Sequence, residues 1–349
     1  MNSGNKNPQP GSFNESIAEI ACQFTTQAQE ALDRAHRLYL HNPRVSLIDF
    51  GWKINDRDGR SIEKTPRIRI HVREKEYGAA FESFAVNNPE LVIDTDLIGY
   101  PVDLPLAKYR TGQKPQLEWY GWEAPPVNPR GRVFNPLRGG ISISNAFKNS
   151  YGTLGGRVVD RRTGRNMILS NWHVLVGSWY VPRGTPIYQP GRLHGGTARN
   201  TIANYDRDAM NSYMDAAVAY VNGNRPITNG QEELGQVTGT TEPLPDMVVT
   251  KSGSKTHITD GRVTGFVGRM VMNYDGVPRV IRNVFHVAQI SNDHEVSAGG
   301  DSGSWWLEKS TNRAVGLHFA GSNVPEYALA ISMPQVLEAL DVRIGPENT

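Results

Sequence analysis

Apolar and polar residues follow two different periods in the first part of the chain. From residue 12 to residue 39 apolar side chains recur every three or four positions, and Asn42-Pro43 follows. This spacing predicts one amphipathic helix that ends before the proline. Residues 45–54 form an extended run, and residues 67–73 alternate apolar with basic side chains. The alternation predicts a strand whose basic face is exposed to solvent, and a basic face that binds an acidic partner is the alternative.

These elements form the first predicted unit, a small α+β domain over residues 12–104. A short helix over residues 77–84 and strands near 91–93 and 98–102 complete it, and the polar residues 1–11 before it are expected to be disordered. Its long helix carries Cys22, which we expect to be a packing residue, with a reactive thiol as the alternative. The domain shows no catalytic pattern, so we expect it to pack or to bind a protein partner.

Prolines and then glycines interrupt the rest of the chain. Residues 105–138 contain six prolines and predict a connector, whose aromatic residues Trp119, Tyr120 and Trp122 are expected to lie against the domain that follows. Over residues 139–349 short apolar segments alternate with glycine turns, and helical spacing returns only at 333–340. This predicts a mainly β domain that ends in one helix.

Composition narrows the class of protein. The chain of 349 residues has room for two domains, and its net charge of +2 indicates neither a nucleic-acid partner nor a membrane partner. Its single cysteine cannot form an internal disulfide, which favours a reducing compartment. The first residues lack an apolar signal core, and no stretch reaches the ~18 apolar residues of a membrane span, so we expect cytoplasmic residence.

Residues 298–304 read Ala-Gly-Gly-Asp-Ser-Gly-Ser and precede an apolar run. A serine between glycines is presented from a tight turn, and the N–H groups of Gly300 and Ser302 could form an oxyanion hole there. An ordinary turn is the alternative. A nucleophilic serine also needs a base and a group that orients the base.

His173 and Asp215 are the candidates for these two roles. His173 follows an apolar strand, and Asp215 stands at the start of another, where burial of a carboxylate is costly without a partner. A structural histidine and a strand-start cap are the alternatives. The chain order His173, Asp215, Ser302 is the order found in the chymotrypsin-like double barrel.

The surroundings of the three residues carry a family resemblance. Ser-Asn-Trp-His-Val, Asp-Ala-Ala-Val-Ala and Gly-Gly-Asp-Ser-Gly-Ser resemble the three catalytic boxes of trypsin-like serine peptidases. Residues 251–263 and 316–322 are similar to the intracellular-type branch that includes the plant narrow-leaf peptidases and their bacterial relatives. The resemblance covers residues from about 139 onward and implies two β-barrels, the first ending near residue 225, with the site in the cleft between them.

The resemblance also implies a mechanism. Ser302 would attack a carbonyl, His173 would carry the proton, and Asp215 would orient the imidazole, with no metal or cofactor. A peptide substrate would add as a strand beside residues 319–322. Residues 138–141 faintly resemble a zymogen cleavage point, but cleavage would leave glycine at the new terminus, so we expect a site that is formed without processing.

Three residues depart from the family pattern. Val174 stands where secreted trypsins have a cysteine, Trp305 where a proline is common, and His257 where relatives usually have glycine. None of these departures removes a catalytic group, but each affects the local geometry.

Specificity is expected to follow from residues near the nucleophile. Val296 stands where trypsin has its pocket-floor aspartate, whereas Ser297 and His318 match positions used in glutamate-selective relatives. An imidazole with a hydroxyl can bind a carboxylate, especially when the imidazole is protonated, which predicts acidic or small polar residues on the acyl side. A structural His318 is the alternative. The remaining predicted substrate-binding residues are Phe319, Ala320 and Gly321.

Two other function classes remain open at this point. The fold could serve as a peptide-binding scaffold that lacks catalysis, or the same groups could act on non-peptide esters. Ser302-dependent labelling distinguishes the first alternative from a hydrolase, and peptide against ester turnover distinguishes the second.

Overall fold

The computed structural model describes residues 26–54, 62–72, 96–97, 100–103, 110–111, 128–290, 295–323 and 326–345. The predictions for residues 1–11, 77–84, 91–93, Cys22 and the aromatic residues at 119–122 lie outside these ranges. Within them, no helix is both long enough and apolar enough to cross a membrane.

Strands, from two to 18 residues long, make up most of the secondary structure of the described residues. The N-terminal part contains α1 (Thr26–Tyr39), β1 (Val45–Ile54), β2 (Ile62–Val72), β3 (Asp96–Leu97), β4 (Tyr100–Asp103) and β5 (Arg110–Thr111). The middle part contains β6 (Leu137–Gly139), β7 (Ser142–Asn145), β8 (Gly152–Thr153), β9 (Gly156–Asp160), β10 (Asn166–Ser170), α2 (Trp172–Leu175), β11 (Pro186–Tyr188), β12 (Thr201–Asp208) and β13 (Ala217–Val221). The last part contains β14 (Ile227–Gln231), β15 (Gly235–Gln236), β16 (Gly239–Thr240), β17 (Val248–Gly253), β18 (His257–Tyr274), β19 (Val277–Gln289), β20 (Trp305–Glu308), β21 (Arg313–Asn323), β22 (Glu326–Ser332), α3 (Met333–Ala339) and β23 (Val342–Arg343).

The first barrel is built from the middle part of the chain. Its strands follow the order β23-β9-β10-β13-β12-β11-β7-β8. Strands β8 and β9 lie at or next to opposite ends of this order, yet only two residues separate them in the chain, so the sheet curves back on itself. Its interior is apolar, with Ile143, Leu169, Ile187 and Val218 completely buried.

The second barrel is a closed ring of six strands. The pairings run β17-β20-β21-β22-β19-β18, and β18 pairs again with β17. Closure satisfies the main-chain groups that an open sheet edge would expose. The two barrels and the terminal helix α3 confirm the predicted mainly β fold, in which Pro334 occupies the first turn of the helix.

The N-terminal strands continue the sheet of the second barrel. Strand β1 pairs with the middle of β18, β2 pairs with β1, and β4 pairs with β2. Helix α1 covers this extension with its buried residues Ala28, Leu32 and Ala35, which pack with Phe50 and Ile68. The predicted amphipathic helix is confirmed over Thr26–Tyr39.

The prediction of a solvated basic face on the second strand is wrong. Arg69 and His71 are completely buried in β2, and both contact Asp49, which lies opposite Arg69 in β1. Burial opposes ionisation of Asp49, but Arg69 and then His71 outweigh it and hold the pKa of Asp49 well below its ordinary value. The basic residues are buried because a carboxylate on the neighbouring strand pairs with them.

Candidate active site

His173 lies where the first barrel passes from a strand into a single helical turn. Strand β10 ends at Ser170, and α2 places His173 directly after it. The Val174 and Leu175 N–H groups both donate to the Asn171 carbonyl, which fixes the turn. The imidazole is therefore held at the end of a buried strand, as the sequence predicts.

Asp215 lies beside His173 because their two strands are neighbours. Ser170 of β10 pairs with Ala217 of β13, so the end of one strand meets the start of the other. Asp215 Oδ1 accepts the main-chain N–H of His173 at 3.0 Å, and Oδ2 lies 2.5 Å from His173 Nδ1. The carboxylate is completely buried, and this contact fixes the orientation of the imidazole.

Ser302 occupies a turn that leads into β20 of the second barrel. Its Oγ donates to the Phe319 carbonyl at 3.5 Å. Its own carbonyl accepts the Thr153 N–H of the first barrel at 2.8 Å. A Cβ placed on Gly152 would lie 2.5 Å from Val174 and 3.1 Å from the Ser302 carbonyl oxygen. The neighbour of His173 and the main chain of Ser302 thus meet at the same glycine, on the seam between the barrels.

The turn around Ser302 contains two glycines in the left-handed region. Gly300 and Gly303 have φ angles of 117° and 97°, in the region that favours glycine. A Cβ on Gly300 would also lie 2.4 Å from the ring of Tyr151. Among the described residues, the Gly300 and Ser302 N–H groups donate to no protein acceptor. Both donors are therefore available to a ligand.

Asp301 fixes this turn through a completely buried ion pair with Lys251. Its Oδ2 lies 3.1 Å from Lys251 Nζ and accepts the Thr256 hydroxyl at 2.6 Å, while the N–H groups of Ala298 and Lys255 also donate to the carboxylate. Burial opposes ionisation of Asp301, but Lys251 and then the hydrogen bonds hold the pKa of Asp301 well below its ordinary value.

Residues 251–254 lie beside the turn over residues 298–304, a position that the sequence did not reveal. Lys251 pairs with Asp301, Ser252 Oγ donates to the Glu232 carbonyl, and Ser254 Oγ donates to the Gly300 carbonyl at 2.8 Å. A Cβ at Gly253 would lie 2.2 Å from Asp301 Oδ1, so the close approach needs glycine there. In the sequence, the Lys-Ser-Gly-Ser motif indicates only a family resemblance and not these contacts with the turn.

His257 closes the turn that follows this segment. Its φ angle is 62°, in the left-handed region, which explains why a glycine is expected at this position. Val174 and Trp305, the other two residues that differ from the family pattern, are both buried. Val174 packs against Gly152 at the seam, and a Cβ on Gly155 would lie 2.3 Å from the indole nitrogen of Trp305. The small residues of the first barrel make room for Trp305.

The predicted specificity residues have different surroundings. His318 is buried, its Nδ1 has no hydrogen-bond partner among the described residues, and burial followed by the charge of Lys251 lowers its pKa to about 3. Ser297 Oγ lies 2.8 Å from where a Cβ on Gly321 would be. Val296 packs in the apolar cluster that includes Trp306, so its side chain belongs to the core of the second barrel.

The edge of β21 is paired with a strand from the connector. Ala320 lies opposite Thr111 and Gly321 opposite Arg110 in an antiparallel pairing. The Phe319 side chain is completely buried. The main chain of Ala320 and Gly321 forms the edge that pairs with β5. The segment predicted to pair with a substrate is thus able to pair with an extended strand.

The segment that resembles a zymogen cleavage point is part of the folded structure. Arg138 and Gly139 belong to β6, which pairs in parallel with β14. Gly140 follows with a φ angle of 90°, and a Cβ there would lie 2.2 Å from Ser252 Oγ. Among the described residues, no group of three His, Cys, Asp or Glu side chains is placed to hold a metal ion.

Three solved structures that align with this chain are described as a serine protease, a chymotrypsin and a protease. A glutamic acid specific serine protease, which "utilizes a novel histidine triad in substrate binding", aligns over 60% of this chain and 100% of its own, with 19% identity and a TM-score of 0.45. Cellulomonas bogoriensis chymotrypsin aligns over 60% and 97%, with 18% identity and a TM-score of 0.44. Nocardiopsis protease aligns over 59% and 97%, with 14% identity and a TM-score of 0.43. No protein-family model and no curated protein matches the sequence.

Proposed function

We propose that this protein is a serine endopeptidase that hydrolyses peptide bonds through Ser302, His173 and Asp215. The observation that carries the proposal is the contact of both Asp215 carboxylate oxygens with one histidine, through its main-chain N–H and through Nδ1. This contact directs Nε2 away from the carboxylate, as a general base requires. The approach of Gly152 to both Val174 and the Ser302 carbonyl supports a common site for His173 and Ser302.

In the proposed reaction His173 Nε2 removes the proton of Ser302 as Oγ attacks the carbonyl carbon. The negative charge that develops on the carbonyl oxygen is stabilised by the Gly300 and Ser302 N–H groups. The imidazolium then donates its proton to the leaving amine, and water repeats the sequence to release the acyl group. Before attack, the Ser302 hydroxyl has to leave the Phe319 carbonyl and turn toward His173 Nε2, by rotation about the Cα–Cβ bond.

We expect the substrate to be an extended peptide. The pairing of β5 with Ala320 and Gly321 supports strand addition at this edge, which lies directly beyond the residue that contacts Ser302. Main-chain hydrogen bonds along such a strand would position the scissile carbonyl over the nucleophile. An ester without an extended main chain lacks these contacts, so we expect peptide turnover to exceed turnover of small esters.

We further propose an acidic or small polar preference on the acyl side of the cleaved bond. The buried Nδ1 of His318 and the hydroxyl of Ser297 near Gly321 support it. Because the pKa of His318 is lowered to about 3, its imidazole is neutral near pH 7 in the free protein, and a bound carboxylate would favour its protonation. A cleavage profile dominated by Lys, Arg or large apolar residues would contradict this preference.

The Lys-Ser-Gly-Ser motif supports a place for the protein in the intracellular-type branch of trypsin-like peptidases. Three residues of the motif approach the turn over residues 298–304: Lys251 and Ser254 through their side chains, and Gly253 through the absence of one. An internal lysine paired with Asp301 also removes the need for a new N-terminus, which agrees with the expectation of a site formed without processing.

Fluorophosphonate labelling tests the proposed function. The reagent forms a covalent adduct only with an activated serine, so we predict one adduct on Ser302 in the wild-type protein and none in Ser302→Ala. Ser304→Ala is the matched control, because Ser304 is buried two residues away in the same turn. We expect this control to keep the adduct. Absence of an adduct in folded wild-type protein would contradict catalysis.

A peptide-binding scaffold is the second candidate, and one observation favours it. The Ser302 hydroxyl donates to the Phe319 carbonyl at 3.5 Å, a contact that serves no catalytic step. A scaffold would bind an extended peptide with equal affinity in the wild type and in Ser302→Ala, and neither would react with a fluorophosphonate.

A further inference from the structure

Tyr274 places its hydroxyl on the carboxylate of Asp215, although the two residues belong to different barrels. Tyr274 Oη donates to Asp215 Oδ2 at 3.1 Å, and the same oxygen contacts His173 Nδ1. Tyr274 is only 2% exposed. Burial, followed by the charge of Asp215 and this hydrogen bond, raises the pKa of Tyr274 well above its ordinary value. The hydroxyl therefore keeps its proton and acts as a donor.

Strands β18 and β19 form the hairpin that carries Tyr274 from the second barrel to the first. Tyr274 is the last residue of β18 and pairs with Val277 across the turn. The main-chain N–H of Arg282 donates to the Tyr213 carbonyl at 2.9 Å, and the Arg282 guanidinium lies 3.8 Å from the centre of the Tyr213 ring. Tyr213 precedes Asp215 by two residues, so the hairpin is attached to the loop that carries Asp215.

A second attachment joins the hairpin to the segment around His173. Trp179 Nε1 donates to the Tyr274 carbonyl at 2.8 Å. The Trp172 ring meets the Tyr274 ring edge to face, with 5.9 Å between centres and 86° between planes. Trp172 is the residue directly before His173. The phenol of Tyr274 is therefore fixed relative to both the histidine and the aspartate.

We propose that Tyr274 is a positioning residue, which holds the Asp215 carboxylate in the plane that orients His173. This inference rests on the proposed function. The two contacts from His173 reach one carboxylate oxygen each, and the Tyr274 hydroxyl adds a third donor from a separate element. Without this third donor the carboxylate can turn about its Cβ–Cγ bond, and the imidazole loses its fixed direction toward Ser302.

The charged groups around Asp215 come from three elements. His173 belongs to α2, Tyr274 to β18, and Lys148 follows β7 near enough for its charge to interact with Asp215. Asp275, in the turn after Tyr274, interacts with Lys148 as well. Removal of the Tyr274 hydroxyl leaves all these charges in place, so a change in pH dependence would report the lost hydrogen bond.

Tyr274→Phe in the full-length protein tests the proposal, because phenylalanine keeps the ring against Trp172. We expect kcat/KM for a cleaved peptide to fall ~10-fold through kcat, with KM unchanged, as for loss of one hydrogen bond to a charged group. The acid limb of the kcat/KM profile should move to higher pH by ~0.5 unit, because Oδ2 without the phenol donor binds the imidazolium more strongly. The rate of fluorophosphonate labelling should fall in the same proportion.

Tyr220→Phe is the matched control. It removes a hydroxyl that donates to Asp160 at 3.3 Å within the first barrel, away from the triad. We expect its rate and pH profile to match the wild type. The proposal is overturned if Tyr274→Phe keeps the wild-type kcat and acid limb, including the case in which its only change is a loss of thermal stability. A wild-type protein that forms no Ser302 adduct would instead overturn the proposed function itself.

Discussion

Lys251 is a completely buried lysine, and its ammonium group pairs with the carboxylate of Asp301, the residue directly before Ser302. We predict that Lys251→Met lowers the free energy of unfolding by about 3–5 kcal/mol at pH 7, because an unpaired carboxylate remains buried. Denaturant unfolding measures this difference. Lys309→Met is the matched control, since its ion pair with Asp260 is exposed and should contribute about 0–1 kcal/mol.

The same pair predicts a dependence of stability on pH. The pKa of Asp301 in the folded protein lies below its unfolded value, so its contribution is complete above the unfolded pKa and is lost as the pH falls toward the folded pKa. The difference between wild type and Lys251→Met should therefore be largest near neutral pH and shrink below about pH 4. A difference that stays constant between pH 7 and pH 3.5 would contradict this account.

Single residues of the site differ in how far the sequence reveals them. His173, Asp215 and Ser302 stand in boxes whose local pattern predicts their chemistry, and two of them are in contact. Lys251 and Tyr274 meet their carboxylates across 50 and 59 residues of chain, so no local pattern can predict the pairs. Asp49 did leave a signal, because it is the only carboxylate within the mostly apolar run of residues 45–54.

Strand β5 and a peptide substrate would use the same main-chain groups of β21. We predict that replacement of both Arg110 and Thr111 by proline lowers KM for an extended peptide several-fold while kcat changes little, because proline removes the N–H donors of the competing strand. Steady-state kinetics measures both constants. The double alanine variant keeps the N–H groups and should match the wild type, and equal KM values for all three proteins would contradict competition at this edge.

The alternation of apolar and polar residues predicts where a strand lies in the chain better than it predicts which strands or side chains it will contact. Residues 45–54 and the alternating residues 67–73 indicate strands that the structure confirms as β1 and, up to residue 72, β2. The burial of β2 follows from its place between β1 and β4 and from a partner carboxylate, neither of which its own residues encode. The hairpin of β18 and β19 likewise reads as ordinary strands, although its end reaches the other barrel.

At the scale of the whole molecule, the N-terminal strands and the second barrel form one sheet. Asp49 and Arg69 lie against Gly265 of β18, where a Cβ would approach the Arg69 guanidinium to 1.8 Å. The rings of His71 and His286 lie 5.4 Å apart across the same boundary. A buried polar cluster therefore joins the two parts, in addition to the main-chain pairing of β1 with β18.

This junction predicts that the two parts unfold together. Asp49→Asn removes the charge that pairs with buried Arg69, and we expect it to weaken hydrogen-exchange protection in β18 and β19 as well as in β1 and β2. Asp206→Asn is the control, because its partner Arg207 keeps a second carboxylate, Asp160. Loosening confined to β1 and β2 would show that the N-terminal part is an independent unit.

Cleavage of a proteome-derived peptide library by the pure full-length protein, read by mass spectrometry, tests the central claim most directly. The account predicts new peptide termini that depend on Ser302 and His173, persist in Ser304→Ala, and follow acidic or small polar residues. Identical libraries after incubation with the wild type and with Ser302→Ala would contradict it.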